Sequence, residues 1–182
     1  MAVEKLSPDE ELPNLHGATV GEFWSWAYSD VQNNTDRAVF AEFLVGSALG
    51  VTDGVSAGWG DFDLLYRDKK IEVKSSAYLQ SVSWGERRLS RISFDIKERV
   101  SLGNRAADCY VFCVHAEKNR AKANVLDAGQ WQFYVLSTKR INAELDKQKS
   151  AALSTIQRLT ECVGYARLRG LIDLSLGFTI RT

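Results

Sequence analysis

Apolar positions recur at helical spacing in two early stretches and then switch to strand spacing. Thr19-Val20-Gly21-Glu22 has the form of a capping box, and Phe23, Trp24, Ala27 and Val31 share the stripe that follows, predicting a helix to about residue 30. Gln32-Asn33-Asn34-Thr35 breaks that pattern. Thr35 is then expected to cap a second helix over residues 36–49, closed by Gly50. Residues 51–60, rich in glycine and small side chains, read as a loop.

Beyond the loop the period shortens to two. Residues 61–66 and 70–75 read as short strands around a polar turn at residues 67–69, hence a hairpin. Ile92, Phe94 and Ile96 alternate with polar residues and predict a third strand over residues 91–96. Residues 108–115 are almost continuously apolar, as expected of a central strand buried on both faces. Residues 131–136 give a fifth strand, and Ser137 is placed to cap a helix to about residue 145. Two shorter helices are expected over residues 154–162 and 165–172. This order predicts a mixed α/β (α+β) fold, a single domain over residues 1–182 with helices packed on a central mixed sheet of about five strands.

Composition narrows the class. An apolar fraction of 45% in 182 residues supports a packed core and excludes intrinsic disorder. The longest apolar run, near residues 38–49, is interrupted by Glu42, so no membrane span is expected. The first residues lack a basic region followed by an apolar one, so no secretory signal is expected. Three cysteines do not make a disulfide framework, which points to a reducing, cytoplasmic setting. Net charge is zero but uneven. Residues 1–60 carry two basic and nine acidic side chains, while residues 61–125 carry thirteen and nine. A positive face is compatible with that, although neutrality does not demand a polyanionic partner.

Strand alternation organises the hairpin's charges. Glu72 and Lys74 share one face and Ile71 and Val73 the other, while Asp61, Asp63 and Leu65 share a face of the partner strand. A turn centred between Asp68 and Lys69 sets Asp63 opposite Lys74, with Glu72 its diagonal neighbour at a Cβ separation of about 7–8 Å. That is close enough for both carboxylates to hold one divalent ion at roughly 2.0–2.1 Å. A turn shifted by one residue is expected to put Asp63 on the wrong face. Glu42 is a further candidate. Its helical neighbours Ala38, Val39, Val45 and Gly46 are small or apolar, so its carboxylate is costly to bury unless it meets a cation, a donor or water.

Asp63, eight intervening residues and then Ile71-Glu72-Val73-Lys74 resembles the PD-(D/E)XK nuclease superfamily, with Glu42 in the place of its upstream helical acid. The resemblance covers residues 36–136. It departs from the pattern at Phe62, which stands where proline precedes the acid, and Asp61 competes with Asp63 for its role. It implies a restriction endonuclease-like core and a Mg²⁺-dependent endonuclease, with Mn²⁺ as substitute, acting on DNA in preference to RNA. Asp63 and Glu72 would hold the metal with the Val73 carbonyl, and Glu42 would act on a metal directly or through water. Lys74 would orient or activate the attacking water and stabilise charge on the phosphate. Pairing as a homodimer is compatible with it.

Other residues carry softer signals. Gln80 follows the hairpin and could position a water or touch backbone. Arg87, Arg88 and Arg91, with Lys97 and Arg99, form a basic stretch suited to phosphates, each contact adding salt-sensitive affinity. Cys109, Cys113 and His115 share a strand face, but positions along one strand cannot surround an ion tetrahedrally, so a buried strand is expected. Residues 149–182 read as a small C-terminal helical extension. Two competing readings stand beside the nuclease: a nuclease-fold nucleic-acid-binding subunit with weak or lost catalysis, and an unrelated α+β interaction domain whose Asp63, Glu72 and Lys74 form only a cross-strand salt bridge.

Overall fold

The computed structural model describes residues 3–56, 60–80, 89–97, 105–146 and 148–179. Helix α1 (Val20–Tyr28) opens with the expected capping box: the Glu22 amide donates to Thr19 Oγ1 at 3.2 Å, and the Thr19 amide donates to Glu22 Oε2 at 2.8 Å. Its expected inner stripe is not an inner surface throughout. Val20 is buried but Phe23 is exposed, because periodicity fixes which residues share a side and not whether another element covers them. Helix α2 (Asn34–Leu49) begins one residue after Asn33, whose side chain accepts the Asp36 amide at 2.9 Å. Asn33 therefore replaces Thr35 as the cap; either is a competent acceptor, and only the chain's entry angle selects between them. Gly50, at φ 72°, closes α2 in the left-handed conformation and donates its amide to Gly46 and Ser47 carbonyls.

The hairpin forms β1 (Leu64–Tyr66) and β2 (Lys69–Ala77), antiparallel with Leu64 opposite Ile71 and Tyr66 opposite Lys69. The connection is the two residues Arg67 and Asp68, both at positive φ (49° and 62°), as a tight hairpin turn of primed type requires. Lys69 thus belongs to β2, which corrects the three-residue turn expected from sequence. The turn has moved by one residue, which displaces the pairing along β2 by two; contrary to expectation, side-chain faces are therefore preserved and Asp63 keeps its side.

Strand β2 pairs in parallel with β4 (Cys109–His115), which pairs antiparallel with β5 (Trp131–Ser137), giving the order β1-β2-β4-β5. All seven residues of β4 are buried, as its unbroken apolar run predicts. The expected third strand shortens to β3 (Ser93–Asp95) and lies outside this sheet. It pairs with β6 (Ser150–Ala152), Phe94 opposite Ala151, in a separate two-stranded sheet. Among the described residues the central sheet therefore has four strands, against the about five expected. Alternation marks Phe94 and Ile96 as inward-facing but cannot name the strand they pair with.

Each face of the sheet carries its own apolar layer. On one, Ala41, Leu44 and Val45 of α2 meet Ile71, Val73 and Val111. Leu168 and Ile172 of α5 (Tyr165–Ser175) join them, so α5 completes this layer. On the other face Tyr110, Phe112 and Tyr134 meet Phe94, Ile141 of α3 (Thr138–Leu145) and Ile156 of α4 (Leu153–Leu159). Among the described residues no helix is long and apolar enough to cross a membrane.

Candidate active site

Strand β1 begins at Leu64 while β2 continues to Ala77, so among the described residues no strand pairs with the β1 side of β2 beyond Ile71. Asp63 occupies the first position past the end of β1. Its amide donates to the Ile71 carbonyl at 3.0 Å, and its Oδ2 accepts the Val73 amide at 2.6 Å. The carboxylate thus takes the place of a ladder carbonyl, an interaction strengthened by its charge. In extended backbone the N–H and C=O of one residue point to the same side. The Val73 carbonyl is therefore aimed toward the side on which Asp63 lies, consistent with a part in the same site.

Glu72 and Lys74 alternate with Ile71 and Val73 and project on the other face of β2, where Lys74 Nζ lies 2.6 Å from Glu72 Oε1. Both are partly shielded, with side-chain exposures of 29% for Lys74 and 13% for Glu72. Pairing within the site holds the ammonium beside the carboxylates rather than in open solvent, more than an exposed surface pair would give.

Glu42 approaches from α2. Burial first, then the negative charge of Asp63 and more weakly that of Glu72, push its carboxyl up to about 7, against a hydrogen bond from Ser56 and the charge of Lys74. Four residues separated by as many as 32 positions are thereby brought into one electrostatic neighbourhood. Burial is the first cause and the like charges of Asp63 and Glu72 add to it, so Glu42 is a shielded acid within reach of two others. Cys113, fully buried beneath them on β4, is held protonated by burial and by the charges of Asp63 and Glu42.

Among the described residues, no set of three or more His, Cys, Asp or Glu side chains is grouped so as to hold a metal ion. Asp63 is turned onto the Val73 amide and Glu72 onto Lys74. The donor chemistry still fits Mg²⁺, which is bound by one or two carboxylates while keeping several waters and does not require an all-protein cage. Asp63, Glu72 and the Val73 carbonyl are oxygen donors of that kind, and the charges of Asp63 and Glu72 that help raise Glu42 are ones a cation would relieve.

The remaining sequence candidates separate. Gln80 is half-buried three residues beyond β2, and Arg91 is exposed ahead of β3. Lys97 is paired with Asp95 at 2.9 Å. Arg87, Arg88 and Arg99 lie outside the described residues. Asp61 is exposed while Asp63 is half-buried against β2, which favours Asp63 for the role both could fill. Cys109, Cys113 and His115 are buried in β4, and His115 Nε2 lies 3.3 Å from the Asn124 carbonyl and 3.2 Å from Gln130 Oε1. Two acceptors on one ring nitrogen make it the donor and leave it no lone pair for a metal.

Two contributors escaped the sequence. Ser56 sits in the glycine-rich loop with nothing in its surroundings to mark it as the partner of Glu42. Asp95 reads as an ordinary outward residue of β3, yet Lys74 is close enough to help lower its carboxyl, after the Lys97 contacts that act against its burial. No known family's model matches this chain, and no curated protein matches it.

Proposed function

We propose that this chain is a metal-dependent nuclease that hydrolyses phosphodiester bonds, with DNA as its substrate. The observation that carries the reading is that Glu42 feels the charges of Asp63, Glu72 and Lys74 around β2, the groups that the resemblance to PD-(D/E)XK nucleases calls for. The preference for DNA rests on that resemblance. A divalent cation held by Asp63, Glu72 and the Val73 carbonyl would neutralise charge on the phosphate and acidify a nearby water.

The chain's own groups have distinct tasks. Asp63, pinned by the Val73 amide, keeps one carboxylate at a fixed place on the strand edge. Lys74 supplies a compact positive charge that can pass from Glu72 to a phosphate oxygen as substrate arrives. Glu42, with its carboxyl near 7, can surrender a proton when positive charge enters the site and thereafter orient water. A cytoplasmic setting, where the free thiols Cys109, Cys113 and Cys162 would stay reduced, accords with this reading, as does pairing into a homodimer for cutting both strands.

The test is cleavage of supercoiled, linear and single-stranded DNA and of RNA with Mg²⁺ or Mn²⁺, alongside calorimetric metal titration. Asp63→Ala and Glu72→Ala should abolish both metal binding and cleavage, whereas Lys74→Ala should keep the metal and lose at least about a hundredfold in rate. Cleavage by all three variants at the parent rate would show the activity to be a contaminant and the assignment wrong.

A further inference from the structure

A cavity of about 410 Å³ opens directly beside the site, with Glu42 and Asp63 in its wall. The rest of its lining is mostly apolar and includes two phenyl rings, Phe43 and Phe62, with Val39, Val55 and Leu65. Phe43, Val39, Val55 and Leu65 are exposed rather than packed into the core, although apolar side chains of this size are normally covered. The volume falls within the roughly 300–1,000 Å³ of small-molecule sites.

Its chemistry selects the occupant. Two carboxylates in the wall repel a phosphate, so the phosphate belongs outside, toward Lys74. A nucleobase is flat, uncharged and apolar on its faces, and its exocyclic amino group can donate to a carboxylate such as Glu42 or Asp63. Phenyl rings provide stacking surfaces that accept any base. Cations border the same opening: Lys70 Nζ lies 5.3 Å from the centre of the Phe62 ring, and Lys5, a lining residue, donates to the Thr52 carbonyl at 3.2 Å.

A base inside a duplex is stacked on both faces and cannot enter such a recess without leaving the helix. We infer that this cavity receives an unpaired nucleobase next to the scissile phosphate, so that the substrate is single-stranded or locally unpaired nucleic acid rather than intact duplex. The inference rests on the nuclease reading for the cleavage step, but its binding step is independent of it.

Two measurements separate the two. The first is Mn²⁺-dependent cleavage of a fully paired duplex, the same duplex with one unpaired nucleotide, and a single strand with or without an abasic position at the cut. The second is fluorescence anisotropy of a labelled single-stranded oligonucleotide with EDTA present. Unpaired substrates should be cut at least about tenfold faster than the paired duplex, and the abasic position should erase most of that advantage. Phe43→Ala should weaken single-strand binding about tenfold and raise KM with little change in kcat, while Phe62→Ala should repeat the effect. Because Phe43 is exposed, its removal should leave the unfolding midpoint near the parent's. Metal-dependent cleavage that is indifferent to pairing and to Phe43 overturns the inference and leaves the nuclease standing. Single-strand binding that depends on Phe43, without cleavage by the parent, keeps the base pocket and removes the nuclease. Neither binding nor cleavage removes both.

Discussion

Glu42→Gln tests the central electrostatic claim without changing the shape of the side chain. The carboxyl titrates near 7 in the fold against 4.5 for an ordinary glutamate, so the folded state holds its proton more tightly than the unfolded state does. With a raised carboxyl the sign is definite. The fold loses stability as pH rises from about 4.5 through about 7, and the full cost is present only above that window. At about 1.4 kcal/mol per pH unit the ceiling is roughly 3 kcal/mol. Partial access to water screens the charge and reduces the expected cost to about 1–2 kcal/mol. Denaturant unfolding of parent and variant at pH 5 and pH 8.5, with chelator present, reads that difference directly. Glu42→Gln should be more stable than the parent by about 1–2 kcal/mol at pH 8.5 and nearly equal to it at pH 5. Added Mg²⁺ should then stabilise the parent at pH 8.5 more than the variant, because a bound cation relieves a repulsion that glutamine no longer has. A gap between parent and variant that is the same at both pH values would refute the reasoning. It would mean that Glu42 titrates as a solvated carboxylate and does not share a site with Asp63 and Glu72.

Other consequences concern the scaffold that holds the site. Asp173 is buried, accepts the Tyr66 hydroxyl at 3.0 Å and lies 3.7 Å from Arg67, tying α5 to the hairpin turn. Tyr66→Phe should cost about 1 kcal/mol in chemical denaturation and Asp173→Ala about 2–3, with the double variant close to Asp173→Ala alone since both remove one interaction. A Cβ on Gly46 would lie 2.9 Å from Thr52 Cγ2 and 3.5 Å from Leu64 Cδ2, so Gly46→Ala should destabilise by about 1 kcal/mol despite the better helix propensity of alanine; an unchanged unfolding midpoint would show that the loop yields freely. Burial lowers the His115 imidazole below its ordinary 6.5, and the unfolded chain therefore binds the proton more readily. Stability should fall as pH drops below about 6.5, a limb that His115→Gln should flatten in thermal unfolding followed by circular dichroism.

The sequence alone settled what depends on neighbouring residues. Thr19 with Glu22 set the start of α1, Gly50 the end of α2, and the apolar run of β4 its burial on both faces. The common face of Glu72 and Lys74 follows from the two-residue period, and it survived a turn one residue shorter than expected because the register moved by an even number. Tertiary structure decided what depends on distant parts of the chain: that β3 pairs with β6, that α5 seals the face beneath α2, and that Phe23 stays exposed while Leu168 is buried. It also decided the site. Local pattern could show that a carboxylate at Glu42 is costly among its helical neighbours. Its proton affinity depends first on how far the fold buries it, then on the charges of Asp63 and Glu72 and on the loop bearing Ser56. Those interactions act through space at short range, and only the folding of α2 against the unpaired edge of β2 makes the distances short.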